Sequence, residues 1–132
     1  MSSHDTAWLV VAHGSRNTAL TAAHDTICAA IAERVASEAD VRAAYLEITE
    51  PSIPDAIDAA VADGARQIVL VPYFLHVGNH TKRDLPELLD EAAHRHPEVR
   101  FAMAEHLGID DRLVELAIDR ARAAEPEEGP GE

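Results

Sequence analysis

Four short apolar runs alternate with four longer segments of helical period, and few folds accommodate that order. The runs are AWLVVA (7–12), VRAAYLEI (41–48), QIVLVPYF (67–74) and VRFAMA (99–104). QIVLVPYF is continuously apolar, as strands covered on both faces are. Between the runs, residues 18–38 carry Leu20, Ala23, Ile27, Ile31 and Val35 at threes and fours, the spacing of one helix face. TEPSIPDAIDAAVADG places Pro51 and Pro54 near a helix start, Ile53, Ile57 and Val61 on one face, and Gly64 as a stop. KRDLPELLDEAAHRH predicts a third helix with Leu85, Leu88, Leu89 and Ala92 facing inward, in which Pro86 is tolerable only in the first turn. DDRLVELAIDRARAA (110–124) predicts a fourth.

Strict strand–helix alternation implies a parallel sheet with helices on both faces. The expectation is one α/β domain over residues 1–124, a three-layer sandwich around a four-stranded parallel sheet of flavodoxin-like type. The 132-residue length suits one domain with one core. The remaining EPEEGPGE (125–132) is acidic and rich in Pro and Gly, and is expected to be a disordered tail. Aromatic residues are only 4% of the chain, so the core must rest on Ala, Val, Leu and Ile.

Charge narrows the partners. A net charge of −13 repels nucleic acid and anionic membranes, and neither is expected as a partner. No apolar run approaches the roughly 18 residues a membrane span needs, and no secretory signal is visible in MSSHDTAW. The single cysteine, Cys28, fits a reducing compartment and reads as semi-buried packing, so a cytoplasmic location is expected.

Parallel sheets bind ligands outside the carboxyl ends of their strands. The residues at those ends are His13 in AHGSR, Glu47 in YLEITEP, His76 and His80 in FLHVGNH, and Glu105 with His106 in AEHLG. The opposite ends carry Ala7, Val41, Gln67 and Val99. Every strand therefore delivers a metal-binding or proton-accepting group to one rim. Imidazole with carboxylate suits a borderline divalent cation such as Fe, Co, Ni, Cu or Zn. With no cysteine at the rim, a thiolate-built structural zinc site is not expected. His80 falls just before or within the first turn of the third helix, where the dipole favours neutral imidazole. Gly78 is expected to let the backbone turn there. Ser15, Arg16, Thr81, Lys82 and Arg83 occupy the same loops and could hold the carboxylates of an anionic substrate. Singly, each of these residues has a plainer reading as a turn, a cap or a solvated charge, and the case rests on their coincidence. His94 and His96 close the third helix and read as structural; His24, mid-helix, and His4 read as uninvolved.

LVVAHGSRN, YLEITEPSIPDAI, IVLVPYFLHVGNHTKRDLPELL and AEHLGIDDRLVELAIDR together resemble the small sirohydrochlorin chelatases, the CbiX/SirB type of class II chelatase, over residues 8–122. The resemblance implies an enzyme that inserts cobalt, iron or nickel into sirohydrochlorin, feeding cobalamin or sirohaem synthesis. The metal is substrate and no cofactor is permanently bound. It implies His13 and His80 as metal ligands, Glu47 as their acidic partner, and His76 as a further candidate. This chain departs from the family pattern at His76, where many members are apolar, and at Glu105-His106, where the family often reads PLG. The single-domain length resembles the short type, which forms a symmetric homodimer. Two other classes compete. One is a non-catalytic metal carrier using the same rim. The other is a phosphotransfer enzyme with His13 as nucleophile, disfavoured because Ala12 stands where histidine phosphatases place arginine. A dinucleotide site is disfavoured because only Gly14 follows the first strand.

Overall fold

A computed structural model of the chain describes residues 5–127. Eight elements alternate without exception: β1 (Thr6–Ala12), α1 (Thr18–Arg34), β2 (Asp40–Tyr45), α2 (Ile53–Ala62), β3 (Gln67–Pro72), α3 (Asn79–Arg95), β4 (Arg100–Met103) and α4 (Asp111–Ala124). The strands form one sheet in the order β2-β1-β3-β4, and every pairing is parallel. The strand order reverses between β1 and β3, whose carboxyl ends therefore flank a natural ligand crevice.

Strand alternation divides the core. Ala7, Leu9 and Val11 of β1 share a face with Ala44, Ile68 and Leu70, and these pack against Ile53, Ile57, Leu85 and Ala92 of α2 and α3. Leu9, Ile57, Ile68 and Leu70 are completely buried. On the other face lies α1, over β1 and β2. No helix among the described residues is long and apolar enough to cross a membrane.

The element order agrees with the sequence expectation, but several local readings change. The buried residues of α1 are His24 and Cys28, whereas Leu20 is 57% exposed. The inward stripe is rotated by about one residue because His24 finds partners inside. Its Nε2 lies 2.9 Å from the Val10 carbonyl oxygen, and its ring meets the edges of Tyr45 and Tyr73. Burial pushes the Cys28 thiol up to about 11, with Asp25 adding to the effect. Burial, then the hydrogen bond to Asp25, pushes the Tyr45 phenol up to about 12. α1 ends at Arg34 rather than near residue 38, β2 at Tyr45 and β3 at Pro72.

α3 starts at Asn79, three residues before the sequence places it, so Pro86 lies inside the helix rather than in its first turn. A proline there removes one backbone bond and crowds the preceding turn. Burial of Leu85 and Ala92 on the sheet holds the helix together across it. The tail expected to be disordered is described only through Glu127, without regular structure from residue 125; residues 128–132 lie outside the described residues, as does His4.

Candidate active site

The carboxyl rim is assembled by backbone bonds that continue the sheet past its strands. The Leu46 N–H donates to the Ala12 carbonyl at 2.9 Å, and the Glu47 N–H donates to the His13 carbonyl at 3.0 Å. His13 and Glu47 thus leave neighbouring strands side by side. Gly14 makes this possible. Its φ is +101°, and any Cβ there would fall inside contact distance of the Glu47 carbonyl oxygen. Thr49 ties the two loops together: its hydroxyl accepts from Ser15 N–H at 2.8 Å and donates to the Ser15 carbonyl at 3.0 Å. The Ser15 hydroxyl accepts from Asn17 N–H, and the Asn17 side chain caps α1 by accepting from Ala19 N–H.

From β3, Phe74 turns its ring to His13 in an edge contact, with centroids 5.5 Å apart. The Phe74 carbonyl accepts from Leu107 N–H at 3.0 Å, which brings the loop after β4 into the same rim. His80 occupies the first turn of α3, which Gly78 begins without a side-chain cap. Gly78 has φ −74°, a conformation open to any residue, so the turn does not call on glycine's freedom as the sequence suggests. An added Cβ at Gly78 meets nothing within 4 Å, so the space around it is open. His80 is 81% exposed, with Nε2 3.2 Å from Asp84 Oδ2 and Nδ1 3.2 Å from Arg83 Nη2. Thr81 and Lys82, expected before the helix, also lie inside its first turns.

His13, Glu47 and His76 are exposed, as are Arg16, Lys82 and Arg83. Lys82, Glu105 and His106 line a cleft of about 220 Å³ with Pro72, Leu85 and Met103. His106 also borders a larger opening of about 670 Å³ between the loop after β4 and the start of α4. A smaller hollow of about 160 Å³ lies beside His13, Ser15 and Tyr45. Among the described residues, no three His, Cys, Asp or Glu side chains stand close enough together to enclose a metal ion. His13, Glu47 and His80 share the rim, then, without forming a closed cage.

Sequence reading passed over Asp84, one helical turn after His80. The signal was the His-x-x-x-Asp spacing, which stacks the two side chains on a helix. The carboxylate, 3.2 Å from His80 Nε2, orients the imidazole, as carboxylates behind metal-binding histidines do. It also passed over Phe74 and Thr49, which position His13 and Ser15. The two histidines read as structural are engaged away from the rim. His94 Nδ1 lies 2.9 Å from the Asp90 carbonyl oxygen, and His96 Nε2 lies 2.8 Å from Asp58. The His96 hydrogen bond, with a second from Arg95, holds the Asp58 carboxyl below its usual range.

Comparison with known proteins agrees with this architecture. The CbiX family model matches residues 7–124. A sirohydrochlorin ferrochelatase of Priestia megaterium is 33% identical over 117 residues, which are 86% of this chain and 42% of that protein. A sirohydrochlorin cobaltochelatase of Methanothermobacter thermautotrophicus is 34% identical over 133 residues, covering 88% of this chain and 90% of that one. The structure of SirB from Bacillus subtilis with Fe3+ superposes with a TM-score of 0.82 at 31% identity, over 93% of this chain and 49% of SirB. The chain therefore spans about half the length of some relatives and nearly the whole of others. A match to the family model across residues 7–124, on a sheet whose carboxyl rim collects the histidines, makes this chain a member of the CbiX family.

Proposed function

We propose that this chain is a sirohydrochlorin chelatase that inserts a divalent metal, cobalt or iron, into the tetrapyrrole. The observation that carries the reading is the juxtaposition of His13 and Glu47 at the ends of adjacent strands, at the rim that binds ligands in parallel sheets and where α3 begins with His80 in its first turn. The ferrochelatase and cobaltochelatase names of two relatives supply the substrate class.

Insertion exchanges two pyrrole N–H protons for one M²⁺, so the site must deliver a cation and receive protons. His13 and His80 hold the metal, and Glu47 balances its charge. An open arrangement serves this task, because a cage of four protein ligands would retain the ion rather than surrender it to four ring nitrogens. An imidazole ligates a metal through an unprotonated ring nitrogen. Glu47 or His76 accepts the displaced protons. Arg16, Lys82 and Arg83 attract the peripheral carboxylates of the ring. Ser15, whose hydroxyl oxygen already accepts from Asn17, keeps its proton to donate. The product then feeds cobalamin or sirohaem synthesis. The enzyme acts in the cytoplasm, as two copies facing across the ring, with no resident cofactor.

The test is anaerobic mixing with sirohydrochlorin and Co²⁺, Fe²⁺ or Ni²⁺ in turn, followed by the visible spectrum of the macrocycle. Acceleration over the protein-free rate, abolished by the double substitution His13→Ala/His80→Ala, is the expected result. Metal binding without insertion by any ion would point to a carrier instead.

A further inference from the structure

The chain places an isoleucine where the backbone calls for glycine. Ile48 has φ +66°, the one non-glycine residue at positive φ among the described residues. Across it, the Thr49 N–H donates to the Glu47 carbonyl at 2.7 Å, so Glu47, Ile48 and Thr49 close a γ-turn. The common inverse γ-turn holds its central residue at about −75°; the form with positive φ is rare and strained. A β-branched side chain at positive φ is a marked outlier. Such strain lowers a folding equilibrium by about tenfold or more.

Strain of this kind persists only where the surroundings enforce it. Both ends of the turn are tied to the loop after β1. The Glu47 N–H donates to the His13 carbonyl, and the Thr49 hydroxyl exchanges two hydrogen bonds with the Ser15 backbone. The Glu47 carbonyl is packed against Gly14. A glycine at position 48 would keep the same turn without the steric cost. The isoleucine adds nothing to the core in exchange, because its side chain is 64% exposed and lies outside the buried cluster.

Its neighbours at the rim repeat the pattern. Each strand end that presents a metal-binding or proton-accepting group also presents an uncovered apolar side chain: Leu20 after His13, Ile48 after Glu47, Leu75 before His76 and Ile109 after His106. With Tyr73 and Met103, this end of the sheet holds six of the eight exposed large hydrophobic side chains among the described residues; the other two lie on α4. Single exposed apolar residues need no explanation, but a group gathered around polar side chains marks a ligand surface. The ligand that suits it has apolar faces and charged edges, since Arg16, Lys82 and Arg83 occupy the same loops. A tetrapyrrole bearing peripheral carboxylates has that form.

We propose that Ile48 seats one face of the tetrapyrrole: the strained turn holds its side chain against the ring, beside the Glu47 carboxylate, and so fixes the ring over the histidines that deliver the metal. The positive φ serves this role. It stands the side chain axial to the hydrogen-bonded turn, whereas the relaxed inverse turn would lay it in the plane of the turn. The inference rests on the chelatase reading above and adds to it a residue that acts on the ring and not on the metal. Covering the exposed 64% of an isoleucine is worth about a 5- to 25-fold gain in affinity.

Three variants separate the side chain from the backbone. Ile48→Gly keeps the turn and removes the side chain. Ile48→Asn supplies a polar side chain that tolerates positive φ. Ile48→Val keeps a β-branched apolar group. Metal-free sirohydrochlorin is titrated into each full-length protein and binding is read from the visible spectrum of the ring; insertion is assayed with each substrate varied, and stability by urea unfolding. The ring Kd should rise about 5- to 25-fold in the glycine and asparagine variants, and about two- to threefold in the valine variant. The KM for metal should not move, and the asparagine variant should unfold at no lower urea concentration than the parent. Unchanged ring affinity in both the glycine and asparagine variants overturns the seating role. So does a loss of ring affinity that comes with a lower urea midpoint in both, which would make Ile48 a structural residue. A parent that binds the ring without inserting metal overturns the chelatase reading alone, and the ring affinities still decide the role of Ile48. A parent that does not bind the ring overturns both.

Discussion

Gly14→Ala is the sharpest single test of how this rim is built. The residue sits at φ +101°, where a side chain strains the backbone by about 1–3 kcal/mol. The new Cβ would also collide with the Glu47 carbonyl oxygen and lie 3.0 Å from its carbon and 3.4 Å from Thr49 N. These are backbone atoms that no rotamer change can move. Relief requires shifting the Glu47 peptide, whose oxygen accepts from Thr49 N–H at 2.7 Å and whose N–H donates to His13 at 3.0 Å. Each weakened hydrogen bond costs about 1 kcal/mol. The total is about 3–5 kcal/mol, a large share of the roughly 5–15 kcal/mol that holds a domain folded. Urea unfolding followed by far-UV circular dichroism measures it. Gly78→Ala is the control, since that glycine has negative φ and open surroundings, and as a change of N-cap residue it should lose no more than about 1 kcal/mol. If Gly14→Ala unfolds within about 1 kcal/mol of the parent, the loop does not pack on Glu47 as described. At a temperature where the variant remains folded, metal insertion should still fall at least about tenfold, because His13 and Glu47 move together.

Asp84→Asn should lower metal-insertion efficiency by about 10- to 100-fold through weaker metal use; an unchanged KM for metal with an unchanged pH profile would remove Asp84 from the site. Ile57→Ala, at a fully buried position between α2 and the sheet, should cost about 2–5 kcal/mol in denaturant unfolding. The Asp58 carboxyl is held low by His96 and Arg95, so its contribution exists above the unfolded carboxylate range and disappears as pH falls through the folded value. Asp58→Asn should therefore flatten part of the acid limb of the stability curve, modestly because the pair is half-exposed. The opposite sign applies to Cys28. Its folded value, about 11 against an ordinary 9.0, means that the folded state keeps a proton which the unfolded chain loses. Stability should decline as pH rises from about 9 toward 11, and Cys28 should resist thiol reagents at pH 8 until the protein unfolds.

The candidate rim was largely visible in the chain because it depends on order rather than on contacts. His13, Glu47, His80 and Glu105-His106 each follow an apolar run, and parallel connectivity sends the ends of all such runs to one side. Asp84 was hidden in plain view. Its spacing from His80 acquires meaning only once α3 is known to start at Asn79, ahead of the lysine and arginine that seemed to open it. The mistaken face of α1 has a similar cause. Period counting weighs hydrophobicity, and a histidine satisfied by the Val10 carbonyl and two tyrosine edges does not register as core.

By itself, the sequence determined the layer order, the identity of the four strands, the residues on the α2–α3 side of the core and the rim where chemistry could gather. These follow from periodicity and connectivity, which are properties of neighbours along the chain. Only the tertiary structure decided that Gly14 admits the Glu47 carbonyl, that Thr49 braces Ser15, and that Phe74 stands against His13. It alone revealed that Ile48 is held at positive φ. Residue type states which backbone angles a side chain tolerates; that an isoleucine stands outside its range depends on the bracing of the Glu47–Thr49 turn by His13 and Ser15, and that bracing is set by packing between residues distant in the chain.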